Sequence, residues 1–157
     1  KYLNNVKIMI EPDKENITKA KSLFEQGYNC CQSVFTAFAT EKALDKNTCL
    51  KISADFAAGL GFYGKTCGAV VGAHMLIGLY HGHDKPTDEK KKAHIKELTQ
   101  KYRKQFEANH GSTICNELLD GDVSTSDGIN EIRKKDYFKT KCPNFVEDSA
   151  RILNKLL

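Results

Sequence analysis

Apolar positions recur at helical spacing along most of the chain. From about Asn16, the residues Ile17, Ala20, Leu23 and Phe24 share one face, and Gly27 ends the run. A second helix starts near Asn29 and carries Cys31, Val34, Phe35 and Phe38. Asp45 or Asn47 caps a third, with a stripe of Cys49, Ile52, Phe56 and Leu60. The segment Gly59 to Gly64, GLGFYG, reads as a glycine-punctuated turn. Lys65 to Leu79, KTCGAVVGAHMLIGL, breaks the amphipathic pattern: it is apolar nearly all round and belongs inside the protein. Gly68, Ala69, Gly72 and Ala73 leave little side chain on one side of it, so another backbone or a bound group can come close. Each interior glycine costs about 1 kcal/mol relative to alanine, a cost that such close approach would offset.

The second half keeps the same period. HDKPTDE is a loop with Thr87 as the helix cap, and Ile95, Leu98, Tyr102 and Phe106 form a narrow apolar seam on a long charged helix ending at His110-Gly111. Ser112 caps a short helix holding Cys115, Leu118 and Leu119. Gly121 to Gly128 is a polar loop, Ile129 to Phe138 a short helix, and NFVEDSARILNKLL an amphipathic terminal helix. Strand alternation persists nowhere. The pattern predicts an all-α, single-domain bundle of about six to eight helices around the buried glycine- and alanine-rich helix. Residues 1–13 form an irregular N-terminal segment ending near Pro12, and 14–157 the helical domain.

Composition excludes several classes. With 157 residues, 40% hydrophobic and 28% charged, the chain has an ordinary globular make-up. The longest apolar run, Ala69 to Tyr80, is short of a membrane span and is interrupted by His74. No signal-peptide pattern opens the chain, so a cytoplasmic location is expected. The lysine-rich stretches Lys85 to Lys104 and Arg133 to Lys141 carry no nucleic-acid motif. Asp84, Asp88, Glu89 and Glu97 break up the first, as on a solvated helix face. Phosphate loops, dinucleotide fingerprints and serine triads are absent.

The chemistry lies in six cysteines, none in a CxxC pair, which argues against a zinc ribbon or a thioredoxin-type dithiol. Four of them fall at predicted helix starts: Cys30 after Gly27 and Asn29, Cys67 in the first turn of the central helix, Cys115 after Ser112, and Cys142 as the cap before Pro143. Unpaired N–H groups and the helix dipole favour an anion there, so these thiols are expected to have lowered pKa values. Cys31 and Cys49 lie in apolar stripes and read as small buried hydrophobes. His74 sits seven residues after Cys67, about 10 Å along a helix, too far to share an ion with it. It is either a pocket acid or base or a hydrogen-bonded core histidine. His81-Gly82-His83 reads as a loop and His110 as part of a turn.

The order of GYNCCQSVF (Gly27 to Phe35), CGAVVG (Cys67 to Gly72), HGSTICNELL (His110 to Leu119) and CPNFVEDSA (Cys142 to Ala150) resembles the redox-active protein family named for its C…GCAxxG…C…C cysteines. The resemblance runs from about Asn16 to the C-terminus. It implies Cys30, Cys67, Cys115 and Cys142 as the signature cysteines, the same four found at helix starts. Cys31 and Cys49 are extra thiols.

Three functions fit these residues. Thiol–disulfide chemistry would cycle one or two pairs among Cys30, Cys67, Cys115 and Cys142, in any of three connectivities. Alternatively the same four thiolates would hold zinc or an iron–sulfur cluster. A third reading is a carrier of sulfur or metal cargo, with Gly68, Gly72 and His74 as the candidates to contact a bound group. An unidentified redox partner or small cargo is expected in each case, and the glycine-rich helix face leaves a homodimer open.

Overall fold

The computed structural model describes residues 12–157 and is all-α, as the periodicity predicts. Seven longer helices, α1 (Pro12–Glu25), α2 (Cys30–Ala39), α3 (Lys46–Ile52), α4 (Gly68–His81), α5 (Glu89–His110), α7 (Ser126–Lys134) and α9 (Cys142–Leu156), alternate with two single turns, α6 (Cys115–Leu118) and α8 (Tyr137–Thr140). The expected irregular segment falls mostly on residues 1–11, outside those described. Its last two residues, 12 and 13, instead open α1, because proline is well suited to a first helical position.

The predicted central helix is α4. It packs most closely against α2 and also meets α5 and α9, while α1 lies across α2 and α9. Ala69, Val70, Ala73, Leu76 and Ile77 are fully buried. At its far end Gly78 and Leu79 reach the surface, so the helix is enclosed over its first three turns rather than throughout. The α5 seam is borne out by buried Leu98, Tyr102 and Phe106. One buried chain of hydroxyls ties three helices together. Tyr102 Oη lies 2.7 Å from Ser149 Oγ, and Ser149 donates to the Ala69 carbonyl at 3.0 Å.

Several boundaries differ from expectation. The third helix stops at Ile52, since the Ser53 hydroxyl turns back to the Cys49 carbonyl at 2.6 Å. A 3-10 turn follows at Ala54–Phe56, and the expected stripe breaks, leaving Ile52 50% and Leu60 37% exposed. Asp88, not Thr87, caps α5, accepting from Lys91 N–H. Asp136, at φ +57°, splits the expected Ile129–Phe138 helix into α7 and α8. The glycine turn is a full left-handed coil: Ala58, Gly59, Leu60, Gly61 and Phe62 have φ of +46°, +75°, +63°, +62° and +69°. No helix among the described residues is long and apolar enough to cross a membrane.

Candidate functional site

Each signature cysteine is delivered by a separate local device. Cys30 is the first residue of α2, held by a capping box: Asn29 accepts from Gln32 N–H at 2.9 Å, and Gln32 accepts from Asn29 N–H at 3.0 Å. Both amides also anchor outward, Asn29 to the Ala54 carbonyl and Gln32 to the Leu50 carbonyl, each at 2.9 Å. Cys67 is the residue that caps α4, and Cys115 opens α6. Cys142 is the first residue of α9, and Lys141 takes the cap position expected for it, because the chain is already helical at Lys141. All four therefore stand at helix N-termini.

Cys67 and Cys115 are also joined through their backbones. Thr66 and Ile114 form an isolated antiparallel bridge, with Cys67 N–H donating to the Thr113 carbonyl at 2.8 Å and Cys115 N–H to the Lys65 carbonyl at 2.6 Å. Side chains alternate across such a ladder, so the two cysteines project to the same side, opposite Thr66 and Ile114. The left-handed coil makes this possible by returning the chain from Ala57 to Lys65. Its span is fastened by Phe62 N–H to the Ala57 carbonyl at 3.1 Å and Lys65 N–H to the Gly59 carbonyl at 2.9 Å.

The four sulfur-bearing residues meet at one cavity of about 200 Å³. Cys30, Cys67, Cys115 and Cys142 line it together with Gly68. The aromatic and aliphatic wall is Phe24, Leu118, Leu119, Phe138 and Phe145, and Asn29, Ala57 and Ala58 complete it. Cys67, Cys115 and Cys142 are buried, at 4%, 7% and 7% exposure, whereas Cys30 is half-buried. All six cysteines are free thiols.

The glycines of α4 explain the convergence. A methyl group at Gly68 would stand 2.9 Å from the Phe56 carbonyl oxygen, 3.1 Å from Cys31 N and 3.2 Å from Cys30 Cβ. One at Gly72 would stand 3.2 Å from the Cys31 carbonyl oxygen. Bare backbone at these two positions lets α2 lie directly on α4, with Cys30 beside Cys67. Gly72 serves this packing and is not on the cavity wall. Nor is His74: its ring meets Tyr102 edge-on at 6.1 Å, and burial, with Arg103 nearby, lowers its pKa. Cys31 and Cys49 are fully buried, as expected, and Cys31 donates to the Met75 sulfur at 3.7 Å.

Electrostatics separate the four thiols. Helix N-termini lead to the expectation of four lowered pKa values, and that holds for Cys142 alone. Burial pushes Cys67 up to about 12, although the Ala69 and Val70 N–H groups pull the other way. Burial, with the neighbouring Cys67 and Cys142, does the same to Cys115, also to about 12. Cys30 and Cys142 act on each other's proton, and this mutual influence splits the pair. It is the first cause raising Cys30, ahead of burial, and the first cause lowering Cys142, where it outweighs burial. The two thiols are thus driven apart in acidity, Cys30 upward and Cys142 downward.

The metal reading needs the four thiolates to close on a single point. Among the described residues, no three cysteine, histidine or acidic side chains come together as a set that could hold a metal ion. Sharing a cavity wall is therefore not the same as forming a chelate here.

A family model described as "Putative redox-active protein (C_GCAxxG_C_C)" matches residues 28–156. Neither a curated protein nor a solved structure matches the chain. The family's name places glycine before the second cysteine, whereas this chain reads Cys67-Gly68-Ala69-Val70-Val71-Gly72, with the two exchanged. A side chain at position 68 would abut Cys30 Cβ, and the exchange puts the thiol at the cap of α4 instead.

Proposed function

The chain belongs to this cysteine-signature redox-active family, and on that premise we propose that it performs thiol–disulfide exchange, with Cys142 as the attacking sulfur and Cys30 as its partner. The observation that carries the reading is that Cys30 and Cys142 line one cavity together with the other two signature cysteines.

The chemistry follows from the split in acidity. A thiolate, not a thiol, attacks a disulfide, and Cys142 is the thiol whose pKa is lowered. Its attack on a substrate sulfur forms a mixed disulfide and expels the other substrate half as a thiolate. Cys142 then bears no charge. Cys30 loses the neighbouring anion that held its proton. Its own ionisation becomes easier at that moment, and it attacks the Cys142 sulfur to close an internal disulfide and free the second substrate half. Cys67 and Cys115, with pKa values near 12, stay protonated at neutral pH and serve as cavity wall. A disulfide between those two is disfavoured by their diagonal placement across the bridge. Diagonal neighbours in such ladders lie about 7–8 Å apart, beyond the usual disulfide span.

The test is to oxidise the fully reduced protein with diamide, alkylate the remaining thiols and map the peptides. A crosslink between Cys30 and Cys142 is expected, lost in Cys30→Ser and in Cys142→Ser and kept in Cys49→Ser. Six alkylated cysteines after excess oxidant would overturn the reading.

A further inference from the structure

The size and polarity of the cavity narrow what can reach the pair. Resting on the redox reading above, we propose that the substrate is a small uncharged dialkyl disulfide, taken whole into the cavity and reduced there to two thiols.

Volume sets the first limit. The cavity holds about 200 Å³, and an apolar cavity of about 150 Å³ accommodates benzene. A molecule slightly larger than benzene fits, and a tripeptide disulfide does not. Polarity sets the second. None of the thirteen lining residues is a lysine, arginine, histidine, aspartate or glutamate, and Asn29, its one amide, is already committed to Gln32 and Ala54. The lysine next to Cys142 in sequence is turned elsewhere. Lys141 Nζ lies 3.5 Å from the Leu118 carbonyl oxygen and 3.9 Å from the centre of the Tyr137 ring. A carboxylate drawn inside would lose its water and find no cation. Depth sets the third. Cys142 is buried, so a substrate must enter before its sulfur meets Cys142. The wall suits sulfur: Phe24, Phe138 and Phe145 offer ring edges and faces of the kind that divalent sulfur favours.

The exchange balances. The Cys142 thiolate attacks one sulfur of R–S–S–R, forming Cys142–S–S–R and releasing RS⁻, which takes a proton from solvent. Cys30 gives up its proton and attacks Cys142. The mixed bond breaks and a second RS⁻ leaves, taking up the proton Cys30 released. The protein dithiol is oxidised by two electrons, and the substrate disulfide is reduced by two.

Reduced protein is treated separately with dimethyl disulfide, glutathione disulfide and diamide, and formation of the Cys30–Cys142 crosslink is followed by mass spectrometry. Each rate is divided by that of the same reagent with free cysteine. Dimethyl disulfide is expected to exceed glutathione disulfide by at least about tenfold, reflecting the cost of bringing carboxylates into an apolar cavity. Ala57→Leu, which adds bulk to the wall, is expected to slow dimethyl disulfide by a similar factor. Equal or faster reaction of glutathione disulfide in the unmodified protein would overturn the substrate assignment, whether or not the variant folds. A crosslink with diamide but none with dimethyl disulfide would also overturn it while leaving the redox reading intact. No crosslink with any reagent would remove both.

Discussion

A thiol at a helix start feels two opposed influences, and their balance differs from one cysteine to the next. The dipole and free N–H groups favour the anion by a fraction of a kcal/mol to about 2 kcal/mol. Removing a sulfur anion from water costs more than that, and at Cys67 and Cys115 burial wins. Cys142 escapes because the neighbouring Cys30 thiol lowers its pKa. If that account is right, Cys30→Ala removes this influence and the Cys142 pKa rises. The pH midpoint for alkylation of Cys142 by iodoacetamide should move upward, with the neutral-pH rate falling several-fold. An unchanged profile would assign the lowered pKa to the helix end instead. The sequence could be read for where Cys30 and Cys142 lie along their helices, since Asn29 and Pro143 mark those starts, whereas Ser112 does not cap α6, whose cap position is held by Ile114 with no side-chain bond. It could not be read for their acidity, because that depends on partners such as Cys30 and Cys142 that are 112 positions apart. The surroundings of His74 were hidden for the same kind of reason: its ring meets that of Tyr102, 28 positions away, and it is not among the residues lining the cavity.

At the scale of elements, α4 contains its own control. Gly68 and Gly78 occupy the same helix, but a methyl at Gly68 meets backbone atoms at 2.9 and 3.1 Å, while one at Gly78 meets nothing within 4 Å. Gly68→Ala should destabilise the fold by about 1–3 kcal/mol through forced separation of α2 and α4. Gly78→Ala should stabilise it by about 0.5–1 kcal/mol through helix propensity. Urea midpoints of the two variants test the pair, and a same-sign response would refute close packing as the reason for Gly68. This close approach was legible in the amino-acid sequence, from the glycines and alanines that share one side of α4. The left-handed coil at Ala58–Phe62 was not legible, because Leu60 and Phe62 hold a backbone conformation that L-residues reach only at a cost of about 1–2 kcal/mol each. Glycines at 59 and 61 signalled a turn. They did not signal that the residues between would follow the same hand, which the hydrogen bonds to Asp55, Ala57, Ala58 and Gly59 impose. The truncated α3 likewise turns on Ser53, whose competing hydroxyl bond breaks a stripe that continues in the sequence.

Across the whole molecule, buried groups that prefer to stay neutral couple the fold to pH. The hydroxyl chain from Tyr102 through Ser149 to the Ala69 carbonyl joins α5, α9 and the first turn of α4 beside the cavity. Ser149→Ala would strand the Tyr102 hydroxyl in the core and should cost about 1–3 kcal/mol. Tyr102→Phe, which leaves Ser149 its bond to Ala69, should cost less in the same urea titration. The thiols extend the coupling. Cys67 and Cys115 hold their protons to about pH 12 in the folded protein, against an ordinary value of 9.0. Burial also raises Tyr102 well above its ordinary 10.0. Between those limits the native state binds protons that the unfolded chain has released, so unfolding gains favour as pH rises. Their contribution is fully present below about pH 9 and is lost on the way to pH 12. Cys142 acts in the opposite sense: its contribution is present above the free-thiol value and is lost as pH falls through its lowered one. The urea midpoint should therefore hold to about pH 9 and decline above it. The decline should be shallower in a Cys67→Ala, Cys115→Ala double variant, each midpoint being compared with the same variant at pH 7.5. An equally steep decline in that variant would mean that Cys67 and Cys115 do not set the alkaline limit of this fold.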